Sequence, residues 1–190
     1  MIIGLTGGIA CGKTTVANIL KEEAFCLFDC DSFCAELYST KNTLFSEKIK
    51  ERWGRDFLNN NIPDKKKIAD LIFSDKNEKK WLESIIHPIV LEAMTNYIKS
   101  NKNVVCEVPL LYEVNWSSRF DKIISVWAPK NLVINHLISR GLSMNEIILR
   151  LESQMPPEKK LEMADFGVIN SSSFDNLKIQ CKKILKYLKK

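Results

Sequence analysis

The stretch that most constrains this chain is "MIIGLTGGIACGKTTVANIL" at its start. An apolar run meets a glycine-rich turn, and a lysine with two threonines then opens a helical pattern. Gly7, Gly12, Lys13 and Thr14 stand at the spacing G-x-x-x-x-G-K-[ST], that of a loop cradling phosphate oxygens on backbone N–H groups. The helix that follows adds its positive N-terminal end. Lys13 would reach the β- and γ-phosphates and the Thr14 hydroxyl would hold Mg²⁺. A tight turn carrying a surface lysine is the bland alternative, but chance yields this pattern in under about one chain of such length in a hundred. The loop says that a nucleotide is bound and not what is done with it.

A chain of 190 residues with 45% hydrophobic content can build one sizeable core, with room for a smaller subdomain. The net charge of +5 is spread along the chain, so a nucleic-acid surface is not expected; the excess suits phosphate-bearing ligands. In the tail "CKKILKYLKK", with Ile179 just before it, Ile179, Leu185 and Leu188 alternate with lysines as in an amphipathic helix. Six cysteines include no C-x-x-C pair, and His87 and His136 lie far from the evenly spaced Cys26, Cys30 and Cys34, which argues for small buried or free thiols in a reducing compartment rather than zinc. No basic segment precedes the apolar start and no apolar run nears the ~20 residues of a membrane helix. A cytoplasmic protein is expected.

Residues 1–6 read as a doubly buried strand, 12–23 as a helix and "FCLFD" at 25–29 as a second strand. From there to about residue 101 the apolar residues, among them Trp53, Phe57, Ile68, Trp81 and Leu82, recur at helical steps. "NNNIPD" at 59–64 reads as a turn, and His87-Pro88 interrupts the helical pattern. Strands are expected at "VVCEV", at 122–129 and at 166–170, with helices at 130–140, across 143–162 and at the end. This alternation predicts a parallel five-stranded sheet flanked by helices. The long second interval is too large for a simple crossover and predicts a helical insertion at the ligand-binding edge.

Glu107 ends an apolar strand, where an acid can help hold Mg²⁺ through water. Asp29 and Asp31 end the second strand; a carboxylate there can take the proton of an attacking hydroxyl, while the structural alternative for Asp31 is a helix N-cap. Arg140, Arg150, Lys159 and Lys160 suit either a mobile lid bringing cations onto a transferring phosphoryl group or a solvated helix. His87 is read as structural.

These residues resemble the dephospho-coenzyme A kinase family over nearly the whole chain. The resemblance rests on "GLTGGIACGKTTVA", "DCD" with "AEL", "IIHP", "VPLLYE", "FDKIISVWAP", "SRGLSMNEIILRLESQ" and "EKKLEMADFGVIN". It implies a P-loop kinase fold in one domain, 1–190, with a helical acceptor-binding insertion at about 31–101 and a helical lid at about 140–162. It further implies ATP-dependent, Mg²⁺-assisted phosphorylation of the ribose 3′-hydroxyl of dephospho-coenzyme A, by a monomer needing no nucleic acid or membrane. Gly8, Ala10, Cys11, Gly12, Lys13, Thr14 and Thr15 would hold ATP with Arg140, and Asn170 would lie near the adenine. Asp31 is the implied base, with Lys13 and Arg140 acting on the phosphoryl group and Thr14 and Glu107 as the metal residues. The chain departs from the family at Ala35 and His136, where arginine is common, at Ile169, where an acid is common, and at Glu107, where Asp or an apolar residue is frequent. Ala35 bears on contacts to the acceptor's phosphates. The competing readings are another small kinase, for a nucleoside monophosphate or metabolite, and a GTP switch. The latter lacks an N-K-x-D segment, having "VINSSS" after its last strand.

Overall fold

A computed structural model of the chain describes residues 1–41 and 43–188, the side chain at 43 excepted. Asn42 of the expected insertion, and Lys189 and Lys190 of the expected amphipathic tail, lie outside the described residues. In chain order the elements are β1 (Ile2–Gly7), α1 (Lys13–Glu22), β2 (Cys26–Asp29), α2 (Cys30–Leu37), α3 (Thr43–Trp53), β3 (Leu58–Asn59), β4 (Ile62–Pro63), α4 (Lys65–Ser74) and α5 (Lys76–Ser100). There follow β5 (Val104–Glu107), β6 (Lys122–Trp127), α6 (Lys130–Ser139), α7 (Met144–Glu152), α8 (Pro157–Met163), β7 (Phe166–Ile169) and α9 (Phe174–Leu188). The chain divides into two compact units, Cys30–Tyr97 and the remainder.

The larger unit holds a five-stranded sheet in the order β2-β5-β1-β6-β7, every pairing parallel. Parallel strands covered on both faces read as apolar runs, and β1 and β5 are buried almost throughout. The register pairs Leu5 and Asp29 with Glu107, so β1, β2 and β5 reach their carboxyl ends at one edge. From α1, Val16, Ala17, Ile19 and Leu20 enter the core. The inner face of α9 is Leu177, Cys181, Ile184 and Leu185, at steps of three and four along the helix. Ile179, expected on that face, is 50% exposed, because it falls between Leu177 and Cys181 on the opposite side of the turn.

The smaller unit packs its own core around Phe45, Ile49 and Ile68, none more than 1% exposed. Trp53 stacks edge-on against Trp81 with centroids 4.8 Å apart, and its indole N–H donates to Glu78, which also pairs with Arg52. Two sequence expectations change here. The 59–64 turn is a small hairpin, β3–β4, whose loop residues Asn60 and Asn61 both have positive φ, as a two-residue type I′ loop requires. The helical pattern is not interrupted at His87-Pro88: α5 runs through Pro88. Proline removes one ladder bond there, and burial of Leu82, Val90 and Met94 on its two sides holds the helix together. No described helix is long and apolar enough to cross a membrane.

Candidate active site

The central strand β1 delivers the glycine-rich loop to the carboxyl edge of the sheet, and α1 leaves from it. Two glycines are required by the path. Gly7 has φ 143°, and a Cβ there would stand 2.2 Å from the Val126 carbonyl oxygen. Gly12 has φ 97°, and a Cβ would stand 2.4 Å from Asn170 Nδ2. The N-cap of α1 is Gly12, which has no side chain to cap the helix, and a helix N-terminus favours an anion.

Lys13 is 9% exposed, and its ammonium donates to the carbonyls of Gly8 at 2.9 Å and Gly7 at 3.4 Å. The loop thus holds its own cation over the cradle. Next to it the Thr14 hydroxyl donates to Glu107 Oε1 at 3.1 Å. Glu107 ends β5, is 4% exposed, and reaches α1 because β5 is the direct neighbour of β1. Asn170 closes the other flank: its backbone N–H donates to the Trp127 carbonyl at 2.7 Å and its amide to the Cys11 carbonyl at 3.0 Å. His136 places Nδ1 3.4 Å from the Ala10 carbonyl oxygen, and Ala10 has φ 55°. Cys11 is buried, and that burial pushes its thiol pKa up, so it is a packing residue and a poor nucleophile. The loop and the connection between α7 and α8 border a cavity of about 460 Å³ lined by Gly8, Ile9, Cys11, Leu151, Met155 and Pro157 among others.

The structure therefore brings Gly8, Ala10, Cys11, Gly12, Lys13, Thr14, Thr15, Glu107 and Asn170 into one region of the larger unit. Asp31 belongs to the smaller unit, exposed in the first turn of α2. That helix starts at Cys30, so the N-cap considered for Asp31 falls by position to Asp29; an acid inside the first turn still favours the helix dipole. Arg140 ends α6, solvent-exposed, its guanidinium in no ion pair among the described residues. Arg150 and Lys159 are exposed as well. Lys160 is neither a solvated residue nor a waving cation: it is 0% exposed and paired with Glu113 at 2.7 Å. Sequence reasoning passed over this pair and the His136 contact. The only signal was the shared presence of "PLLYE" and the lysine in the resemblance.

No group of three or more His, Cys, Asp or Glu side chains able to hold a metal occurs among the described residues.

A family model described as dephospho-CoA kinase matches residues 1–176. The chain belongs to the dephospho-CoA kinase family. A dephospho-CoA kinase of Helicobacter pylori is 34% identical over 193 residues, spanning 98% of this chain and 96% of its own. A solved structure from Thermus thermophilus matches with a TM-score of 0.84 at 30% identity, over 99% of this chain and 97% of that one. The dephospho-CoA kinase from Campylobacter jejuni matches at 0.71 and 27% identity, over 98% and 96%. The parallel sheet and glycine-rich loop are those of a P-loop kinase, and membership of the dephospho-CoA kinase family makes the chain an enzyme of the transferase class.

Proposed function

We propose that this protein transfers the γ-phosphoryl group of ATP to the ribose 3′-hydroxyl of dephospho-CoA, giving CoA and ADP. The observation that carries the reading is the Lys13–Thr14–Glu107 arrangement beside the loop, in a chain matched by the family over residues 1–176.

Phosphoryl transfer needs little covalent chemistry from a protein; it needs position and charge. The N-terminal N–H groups of α1 and the loop receive the phosphate oxygens. Lys13, already held at the Gly8 carbonyl, exchanges that contact for the β- and γ-phosphates with little reorganisation. Arg140 supplies a planar guanidinium, suited to a phosphoryl group, when the segment between α6 and α8 closes. Asp31 accepts the proton of the 3′-hydroxyl and orients it. Asn170 keeps Cys11 and Gly12 in place, and through them the loop conformation that ATP meets. The helical unit Cys30–Tyr97 receives dephospho-CoA.

Thr14 and Glu107 offer two oxygen groups within hydrogen-bond distance, a donor set that fits a hard divalent cation. When bound, Mg²⁺ neutralises charge developing on the phosphate oxygens. The protein acts as a monomer and in the cytoplasm, which cysteines outside any disulfide suit.

The test is coupled ADP release with dephospho-CoA set against AMP, CMP and shikimate. Turnover with dephospho-CoA far above the other three supports the reading; preference for any of them refutes the acceptor. Light scattering on the eluting protein checks the monomer.

A further inference from the structure

Lys160 is the only charged side chain among the described residues with no exposed surface at all. An ammonium leaves water at a large cost, so its partners must be close and well placed. They are. Its Nζ donates to Glu113 Oε1 and to the Pro109 carbonyl, each at 2.7 Å. Glu113 Oε1 also accepts the Met155 N–H at 3.0 Å, and the Pro109 carbonyl also accepts the Thr6 hydroxyl at 3.2 Å.

A buried ion pair is a weak means to stability, because apolar groups of similar shape often do as well. This one supplies geometry. It ties the turn after β5 and the end of "PLLYE" to α8 through a single ammonium, and Glu113 in turn holds Met155 ahead of that helix. Each attachment lies one step from the loop machinery. Pro109 is two residues beyond Glu107, which accepts the Thr14 hydroxyl. Thr6 precedes Gly7, where the glycine turn begins. Met155 stands where the lid segment returns towards α8.

We propose that Lys160, braced by Glu113, is a positioning residue for the phosphoryl transfer: it fixes the Pro109 turn and so keeps the Glu107 carboxylate on Thr14. It touches no substrate. The proposal rests on the functional reading above and concerns how that site is held together.

The informative variant is Lys160→Met/Glu113→Gln, which removes the ammonium without leaving a buried carboxylate unpaired. It should fold with a melting temperature close to the parent's. Because it loosens a group supporting a metal-facing residue, kcat should fall roughly tenfold or more. The gain in ADP affinity on adding Mg²⁺, read by calorimetry, should shrink by a similar order, roughly tenfold. Lys160→Arg keeps charge and donors and should recover most of both. If the double variant is partly unfolded, kcat is taken per folded molecule from its melting curve. A parental kcat per folded molecule together with a parental Mg²⁺ gain would overturn the proposal and leave the pair a packing feature. A parent that releases no ADP with dephospho-CoA would refute the functional reading instead, and the ADP–Mg²⁺ titration would still judge Lys160.

Discussion

Replacing Gly12 by alanine strains the loop by an amount that follows from two observations. The residue sits at φ 97°, where an L side chain costs roughly 1–2 kcal/mol. The new methyl would also stand 2.4 Å from Asn170 Nδ2, so that amide must withdraw and surrender its 3.0 Å bond to the Cys11 carbonyl. A lost hydrogen bond adds about 1 kcal/mol, for about 2–3 kcal/mol in all. The sheet ladder does not run through the loop, so nucleotide binding rather than folding should carry most of that cost. At 1.4 kcal/mol per decade, the Kd for ADP in the presence of Mg²⁺ should rise roughly 30- to 150-fold. Calorimetric titration measures it, with a melting curve of the nucleotide-free protein as control. Asn170→Ala alone should cost only the hydrogen bond, a weakening of roughly fivefold. In Gly12→Ala/Asn170→Ala the clash is gone while the backbone strain and the lost hydrogen bond remain, so the double variant should bind no worse than Gly12→Ala. A Gly12→Ala protein with ADP affinity within about threefold of the parent would refute the argument from strain.

Lys13→Ala should lower kcat by at least roughly 10²-fold, as loss of a preorganised charge at the reacting group does, while the nucleotide-free melting temperature holds; retention of more than about a tenth of parental kcat would remove Lys13 from that role. Asp31→Asn should lower kcat by roughly 10²–10⁴-fold at saturating substrates, with Asp29→Asn the milder of the two; the reverse order would assign the base to the wrong carboxylate. Asp165 is held below the usual carboxylate range first by the Lys122 ammonium and also by the Ile123 N–H, both at 2.8 Å. A depressed folded pKa means its stabilising contribution is complete above the unfolded value of about 4 and is lost as pH falls through the lower folded value. Asp165→Asn should therefore flatten the acid limb of the stability profile below about pH 4 and lower stability at neutral pH; an unchanged acid limb would show that the pair contributes nothing there.

The sheet could be read from sequence because each strand is an unbroken apolar run buried on both sides, as "IIGLTG" is, and because the loop spacing locates its own strand and helix. The features that escaped were decided by tertiary packing or were too short to carry a period. Strands β3 and β4 have two residues each, and only the paired positive φ of Asn60 and Asn61 reveals their hairpin. Pro88 obeys a local rule that the burial of Leu82, Val90 and Met94 overrides. Lys160 is the sharpest case in the site. A lysine beside another lysine reads as solvated, since sequence displays a charge but not the distant Glu113 and Pro109 that take it out of water. For Asp31 the difference is one residue: α2 starts at Cys30, which moves the cap position to Asp29 and leaves Asp31 inside the first turn.

The claim on which the rest depends is the identity of the bond made. Phosphorus NMR of a reaction containing the protein, ATP, Mg²⁺ and dephospho-CoA tests it directly. One new phosphomonoester resonance, coupled to the ribose 3′ proton, should grow in step with ADP and match authentic CoA. A monoester at the 2′ position, or ADP accumulating with no new monoester on the acceptor, would contradict it.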